Sequence, residues 1–236
     1  MLSYTVSPRA LSARLYAEGF DLSQDEARAD LAALCHAGAI PLALTRGEET
    51  LSQGLGIPID TDCGRMLYLY ALTTDRASRG QGLLRTLLKE TAAMAEGAGF
   101  ASLSLLPASA PLYDSYRRMG FTEELASGGA AAIASSADLA YRTDLSMHPI
   151  TDTDADTLYA ALGKRMSRPM FDYTLATLAP TVLPMRTEEG GYALALASDP
   201  RYVLAASFPV SRIGTHTLLC APIRGLTESL IEPLPR

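Results

Sequence analysis

The stretch that decides the fold is ALTTDRASRGQGLLRTLLKE, residues 71–90. It predicts a buried strand, then a short loop, then a helix that opens at Arg79-Gly80-Gln81-Gly82. Glycines let the backbone approach a ligand closely, and the first N–H groups of a helix have no partners inside it. Together with the positive end of the helix dipole, these groups form an anion site. The stretch therefore predicts a turn that binds an anion.

Two other phosphate motifs do not match this turn. A P-loop needs Gly-Lys-Ser/Thr, which is absent, and a dinucleotide fingerprint needs a third glycine, which the stretch also lacks. A loop this short suits a pyrophosphate that backbone amides hold without a metal.

A second informative stretch is LSLLPASAPLYDSYRRMGF, residues 103–121. Pro107 has no N–H group, so the strand that ends at Leu106 cannot keep pairing with its neighbour. A strand that parts from its neighbour leaves a wedge, where an extended ligand with amide groups could pair as a short extra strand. Tyr113 and Tyr116 follow on one face of the next helix. Core packing, with the hydroxyls at the rim, is the alternative interpretation of this tyrosine pair.

The rest of the N-terminal part alternates helices and strands. Ser23 and Glu26 predict a capping box for the second helix. The predicted helices are 8–18, 24–36, 80–97 and 111–119, and the predicted strands are 40–46, 50–59, 66–74 and 101–106. The low-complexity stretch 126–137 predicts a loop or a small hairpin.

The segment SMHPITDTDA, residues 146–155, indicates a domain boundary, so we predict domains 1–146 and 147–236. The second, smaller α+β part has predicted helices at 153–166 and 170–179 and predicted strands at 182–186, 191–198, 202–208 and 215–221. Two helices followed by strands repeat the order of residues 8–74, which favours a degenerate repeat.

Composition excludes several classes of protein. Hydrophobic residues make up 48% and charged residues 19% of the 236 residues, which excludes a disordered chain. The formal charge of −6 argues against nucleic acid and against an anionic membrane surface as partners.

Cysteine usage and hydropathy predict a cytoplasmic protein. The three cysteines (Cys35, Cys63 and Cys220) form no CxxC pair, which favours a reducing compartment. Cys35 precedes His36, but no second ligand pair accompanies them, so we predict no metal. The N-terminus has no continuous apolar stretch of the kind that signal peptides carry, and no window approaches the roughly 20 apolar residues of a membrane span.

Taken together, the two stretches resemble the GCN5-related N-acetyltransferase superfamily over about residues 38–125. Arg79-Gly80-Gln81-Gly82 matches its Q/R-x-x-G-x-G/A signature, and the run from Tyr116 to Phe121 matches its Y-x-x-x-G-F segment. Leu84 departs from the Gly or Ala that most members carry. The Gly82-Leu83-Leu84-Arg85 run looks more like the enhanced-intracellular-survival (Eis) type, of which this chain would be a shortened relative. The resemblance implies an α+β fold with a central mixed β-sheet flanked by helices.

The resemblance also implies roles for individual residues. The backbone of Leu72, Thr73 and Thr74 would pair with the pantetheine arm of acetyl-CoA, and Tyr116 would face the thioester sulfur as the catalytic residue. Tyr113 would pack along the pantetheine wall, and Pro107, which opens the wedge, would also be a cofactor-binding residue. The pyrophosphate turn would be Arg79, Gly80, Gln81, Gly82, Leu83, Leu84 and Arg85.

The general base is open. The family often places a carboxylate at the position of Tyr68, which is a poor base with a pKa near about 10. Asp60, Asp62 and Asp75 are candidates by residue type only, and deprotonation through water is an equal alternative.

The function that follows is acetyl transfer from acetyl-CoA to a primary amine by direct attack in a ternary complex, since no cysteine lies near either motif. The alternative is a non-catalytic acyl-CoA-binding or regulatory module. The acceptor could be an aminoglycoside, a polyamine, another small metabolite or a peptide. The oligomeric state is left open, a homo-oligomer included.

Overall fold

The structure, a computed structural model, describes residues 1–61, 64–125, 141–150, 155–163, 166–178, 181–207, 211–212, 218–223 and 226. The chain divides into two compact units, one of Met1–Leu125 with Leu218–Arg236, the other of Ala126–Thr217. The strands are β1 Leu2–Thr5, β2 Ile40–Arg46, β3 Glu49–Thr61, β4 Gly64–Thr74, β5 Ser102–Leu105, β6 Glu123–Leu125, β7 Tyr141–Arg142, β8 Met147–Pro149, β9 Val182–Thr187, β10 Tyr192–Leu196, β11 Asp199–Ala206, β12 Ser211–Arg212 and β13 Leu218–Pro222. The helices of the first unit are α1 Ala13–Phe20, α2 Gln24–His36, α3 Leu83–Gly97 and α4 Ala110–Arg118.

The first unit contains a mixed sheet with strand order β1-β2-β3-β4-β5-β13-β6. Its strands pair antiparallel except for β4 and β5, which are parallel. Helix α3 connects these two parallel strands, as a crossover must. The predicted α+β fold class, a mixed central sheet with flanking helices, is confirmed.

Helix α3 covers one face of this sheet. Its buried stripe of Leu83, Leu87, Leu88, Ala92 and Ala95 lies in one cluster with side chains from the sheet, among them Leu67, Leu69, Leu103 and Leu105. The predicted stripe is therefore confirmed, with Leu84 only partly buried at its edge. All four residues from Met66 to Leu69 are buried, so β4 is covered on both faces, as its continuous apolar run predicts.

The predicted helix 24–36 has the same bounds in the structure. Ser23 and Glu26 form the predicted capping box, each side chain bonding the other residue's backbone N–H. The predicted helix 8–18 is wrong in its bounds: a 3-10 turn at Pro8–Ala10 precedes α1. The reason is Ser12, whose hydroxyl accepts a hydrogen bond from the N–H of Leu15 and caps α1 there.

The last strand returns to the first unit. β13 pairs with β5, with Leu219 opposite Leu105 and Pro222 opposite Ser102, and it also pairs with β6. The predicted boundary between residues 146 and 147 assigns this strand to the second domain, whereas the structure places it in the first unit. The physical reason is the edge of β5 away from β4, which needs a hydrogen-bonding partner.

The second unit contains an antiparallel sheet with strand order β12-β7-β11-β10-β9-β8. Met185, Ala193, Ala195 and Val203 form a small core on it. Helices Ala155–Leu158 and Arg168–Leu178 precede β9, and a π-helical turn Tyr159–Gly163 follows the first of them. The degenerate repeat stays a prediction, and the stretch 126–137 lies outside the described residues.

Among the helices that the structure describes, none is long and apolar enough to cross a membrane. No group of three or more His, Cys, Asp or Glu side chains in the described ranges is arranged to hold a metal ion.

Candidate functional site

The two parallel strands part within the sheet. Pairing between β4 and β5 runs from Met66 opposite Ser102 to Leu69 opposite Leu105 and ends there. β4 continues to Thr74, while the segment that follows β5 passes through Leu106 to the buried Pro107. The edge of β4 from residue 70 to residue 74 therefore faces a wedge, as Pro107 predicts.

A β-bulge reshapes β4 at the mouth of this wedge. Ala71 has φ 55°, and the pairing with β3 shifts register between Gln53 and Leu55. A non-glycine residue with positive φ is uncommon, and bulges often lie next to functional sites, where they re-aim side chains. Gly54 allows the bulge, because a Cβ there would lie 2.6 Å from Cδ2 of Leu72.

Side chains already bind two carbonyls of the strand end. The hydroxyl of Ser52 donates to the carbonyl of Thr73 at 3.2 Å, and Nε of Arg79 donates to the carbonyl of Thr74 at 3.2 Å. The hydroxyl oxygen of Thr73 is buried and has no hydrogen-bond partner in the structure. An unpartnered buried hydroxyl is costly, so a ligand that reached it would relieve that cost.

Asp75 holds the turn that follows β4. Its N–H donates to the carbonyl of Leu51 at 2.9 Å, and its carboxylate accepts from the N–H of Ala77 at 3.1 Å. An ion pair of 2.8 Å joins it to Arg14 of α1. The Arg14 guanidinium holds the pKa of the Asp75 carboxyl below its usual range. A carboxylate so engaged is a turn residue and a weak base.

The glycines of the predicted pyrophosphate turn have the geometry that an anion site needs. Gly80 and Gly82 have φ of 77° and 73°, and a Cβ on either would meet no atom within 4 Å. Gly82 is the N-cap of α3 and supplies no side-chain cap to the first turn. The predicted helix 80–97 therefore begins at Leu83, because the left-handed conformation of Gly82 cannot be helical.

Tyr116 and Tyr113 lie on α4 and pack against the same core as α3. Tyr116 is only 6% exposed, and its ring meets that of Phe121 edge to face at 5.9 Å. Burial raises the pKa of Tyr116 to about 12, so its hydroxyl keeps its proton and can donate it in a hydrogen bond. Tyr113 is partly buried beside it. Core packing therefore accounts for the rings, and a catalytic role for the hydroxyl of Tyr116 stays a prediction.

The other candidate positions for the general base differ in their exposure and contacts. Asp60 is largely exposed and pairs loosely with Arg65 at 3.6 Å, and Asp62 lies outside the described residues. Tyr68, at the family's usual carboxylate position, is 3% exposed, and burial raises its pKa above the ordinary value. A tyrosine with a raised pKa is ionised at neutral pH even less than an exposed one, so less phenolate is available to act as a base.

Residues that local sequence patterns do not single out connect α1 to the site. The buried amide of Gln53 binds the backbone of Ser12 twice, accepting from its N–H at 2.6 Å and donating to its carbonyl at 3.0 Å. The hydroxyl of Tyr16 donates a hydrogen bond to Asp30. The uncharged polar residues Ser52 and Gln53 inside the apolar strand run LSQGLGI were the available signal, and they do not point to Tyr16 or Asp30.

No family model matches the sequence. No curated protein matches it. Solved structures do match. A GCN5-related N-acetyltransferase from Anabaena variabilis is 13% identical, with a TM-score of 0.59 over 99% of this chain and 69% of that chain. Another from Kribbella flavida is 17% identical, with a TM-score of 0.57 over 89% of this chain, which spans 57% of that chain.

Identities this low show the fold alone, and the closer likeness to the Eis type stays a prediction. The mixed sheet, the wedge between β4 and β5 and the glycine turn before α3 all lie in the first unit. The chain thus has the fold of the GCN5-related N-acetyltransferases.

Proposed function

We propose that this protein transfers an acetyl group from acetyl-CoA to a primary amine by direct attack in a ternary complex. The observation that carries the proposal is that β4 connects the wedge to the glycine turn. The strand lines the wedge at Tyr70–Thr74 and, after a short turn, leads into the start of α3, which has no side-chain cap. An extended amide-bearing arm and a pyrophosphate would meet these two features in the same order.

The backbone of Leu72, Thr73 and Thr74 would hold the pantetheine arm. Among the three, Leu72 lies at the bulge, whereas the carbonyls of Thr73 and Thr74 already accept hydrogen bonds from side chains. Pro107 and Tyr113 would form the opposite wall.

The turn from Arg79 to Arg85 would hold the pyrophosphate. Backbone N–H groups at the start of α3, the helix dipole and the open space at Gly80 and Gly82 favour an anion there. Arg79 contributes indirectly, because its side chain is folded back onto the carbonyl of Thr74. Leu83 and Leu84 anchor the turn to the core through their side chains.

Tyr116 would donate a hydrogen bond to the sulfur as thiolate charge develops. Full proton transfer to a thiolate of pKa about 8.5 from a phenol of higher pKa is uphill. A hydrogen bond that strengthens with charge needs no transfer, and the raised pKa of Tyr116 keeps the donor proton in place.

The test is amine-dependent release of thiol from acetyl-CoA by the full chain. The acceptors would be spermidine, kanamycin and a lysine-containing peptide, with CoA binding measured by calorimetry on the same protein. We expect CoA to bind and at least one amine to accelerate thiol release well above slow hydrolysis. Absence of CoA binding would contradict the proposal.

A second function, a non-catalytic acyl-CoA-binding module, is favoured by one observation: Tyr68 stands buried at the family's usual carboxylate position. CoA binding with slow hydrolysis that no amine accelerates would support this second function instead.

A further inference from the structure

The C-terminal end of α1 is packed on the part of β4 that lines the wedge. A Cβ on Gly19 would lie 2.9 Å from Cγ2 of Thr73, so the helix backbone approaches the strand closely there. Phe20 follows Gly19, and its ring meets that of Tyr70 at 5.6 Å. Tyr70 is the first residue of β4 beyond the last pair with β5. The ring of Phe20 is therefore held beside the mouth of the wedge.

This end of α1 lies on the face of the sheet opposite α3. Leu67 and Leu69 of β4 pack in the α3 cluster, so the alternate residue Tyr70 points to the other face. Helix α4 packs in the same cluster as α3 through Tyr116. Because α3 and α4 cover one face, we expect the acceptor to reach the wedge from the face that carries α1.

The rings at this end of α1 differ in exposure. Tyr16 is 1% exposed, and its ring stacks on that of Phe20 at 4.7 Å. Tyr70 is half-buried, whereas Phe20 is 40% exposed. The ring of Phe20 is thus fixed by two neighbouring rings and still reaches solvent. Since an aromatic ring attracts a cation placed within about 6 Å of its centre, a fixed and exposed ring can bind a positively charged ligand.

The charges around these rings favour a cation over an anion. Residues 13–36, which contain α1 and α2, carry five carboxylates and two arginines, a net charge of −3. Arg14 and Arg28 are both already paired with carboxylates. The exposed Asp21 follows Phe20 directly as the C-cap of α1, and the C-terminal end of a helix dipole is itself negative. The local field therefore attracts a cationic ligand.

We propose that the rings of Phe20 and Tyr70 bind a positive charge on the acceptor, so that the preferred substrate is an aliphatic amine with a second ammonium group. This inference rests on the proposed function. The nitrogen that attacks the thioester must be neutral, so the rings do not favour it as it reacts. A second ammonium, with a pKa near about 10.4, keeps its charge at pH 7. The rings therefore select diamines and polyamines over monoamines.

The second ammonium has a role in binding and none in the chemical step. It lies away from the bond that forms, and its charge is the same before and during attack. The rings therefore bind it equally in the ground state and in the transition state, and such binding lowers KM without raising kcat. A selective effect on KM distinguishes this site from a catalytic group.

The direct test is the binding of spermidine to the complex of the full chain with CoA, measured by calorimetry. The decisive variant is Phe20→Leu, which keeps an apolar side chain but removes the ring. Phe20→Tyr restores a ring at the same position. The matched control is Phe100→Leu, the same substitution at a buried ring that follows the C-terminal end of α3.

We expect Phe20→Leu to weaken spermidine binding by about fivefold or more, as the loss of a partly desolvated contact between a cation and a ring predicts. Phe20→Tyr should bind spermidine within about twofold of the wild type. The folded Phe100→Leu protein should do the same. CoA affinity should stay unchanged in Phe20→Leu, since Phe20 does not belong to the pyrophosphate turn.

The kinetic test compares spermidine with n-butylamine, which carries a single amine. The wild type should have the higher kcat/KM for spermidine, and Phe20→Leu should lower that preference about fivefold through KM, with kcat changed less than about twofold. A purely structural role for Phe20 would lower kcat/KM equally for the two amines, and that result would contradict the proposal.

Two failures are distinguishable. A wild type that binds CoA but acetylates no amine overturns the proposed function and this account of its substrate with it. An active wild type that acetylates n-butylamine as well as spermidine, or whose Phe20→Leu variant keeps the wild-type affinity for spermidine, overturns the cation site alone.

Discussion

The two ends of α3 carry glycines in the same conformation, but the hydrogen bonds around them differ. Gly82 and Gly99 have φ of 73° and 78°, and a Cβ on either would meet no atom within 4 Å. At the C-terminal end the backbone binds itself, through Gly99 N–H to the carbonyl of Glu96 and Phe100 N–H to that of Ala95. At the N-terminal end Gly82 provides no side-chain cap. Glycine with positive φ therefore marks both ends of α3, and the two ends differ in the hydrogen bonds around the glycine.

The largest expected effect comes from placing the same charge at each end. Gly82→Asp should weaken CoA binding at least about 100-fold, because a carboxylate would occupy the proposed pyrophosphate position with like charge. Gly99→Asp introduces the same side chain, charge and backbone strain at the other end of the helix, about 22 Å away. It should leave CoA affinity within about threefold, as measured by calorimetry.

Equal and large losses of affinity in both glycine variants would mean that they act through folding. Equal and small losses would place CoA elsewhere, so either result would break the comparison between the two ends.

Tyr116→Phe should lower kcat at least about tenfold with little change in CoA affinity, because only the hydrogen bond to the developing thiolate is lost. Tyr113→Phe should do less, since Tyr113 contributes packing along the pantetheine wall. The measurement is steady-state thiol release together with the melting temperature of each variant. Equal and small effects of the two substitutions would mean that both tyrosines only pack in the core and that neither acts in catalysis.

The C-terminal end of α3 should contribute to stability without affecting CoA binding. Phe100 is 6% exposed and lies under the guanidinium of Arg65, 4.6 Å from its ring centroid. Phe100→Leu should destabilise the protein by about 1–2 kcal/mol through lost packing. Denaturant unfolding measures this loss, and CoA affinity of the folded protein should not change. Weakened CoA binding without loss of stability would contradict the division of roles.

The smallest expected effect concerns the turn between β4 and the N-terminal end of α3. The ion pair with Arg14 lowers the pKa of Asp75, so the pair stabilises the fold above the unfolded pKa of about 3.9. That stability is lost as pH falls through the folded pKa. Arg14→Gln should lower Tm by about 1–2 °C at pH 7, and the difference should vanish in strong acid.

Arg28→Gln is the control for this change, because it removes an exposed ion pair with Asp25 elsewhere. It should shift Tm less than Arg14→Gln at every pH. A difference between Arg14→Gln and wild type that persisted unchanged in acid would show that the charge of Asp75 is not its cause.

Local patterns predicted the elements of the first unit because their signals are local. The capping box at Ser23 and Glu26, the apolar run of β4 and the stripe of α3 each specify an element within a few residues. The fold class followed from the two motifs and their order. The wedge was predictable too, because Pro107 cannot donate to a ladder.

The rest depended on contacts between distant segments. Nothing near residue 218 indicates pairing with β5 rather than with β11 or β12, since a short apolar strand fits any edge. The hydrogen bond from Tyr16 to Asp30 joins two helices, and no periodicity within either helix reveals it. The bulge at Ala71 was equally hidden, because alanine carries no sequence signal for positive φ.

The pairing of β5 with β13 has a consequence for biosynthesis. Strand β5 is made early, but the strand that completes its ladder is translated only after the whole second unit. At about 5–20 residues per second, that delay is roughly 5–20 seconds. During this interval one edge of the central sheet lacks its native neighbour, while the intervening residues can already form their own hydrogen bonds. The nascent chain should therefore finish its second unit before its first, and the ribosome-bound intermediate should be the state most prone to aggregation.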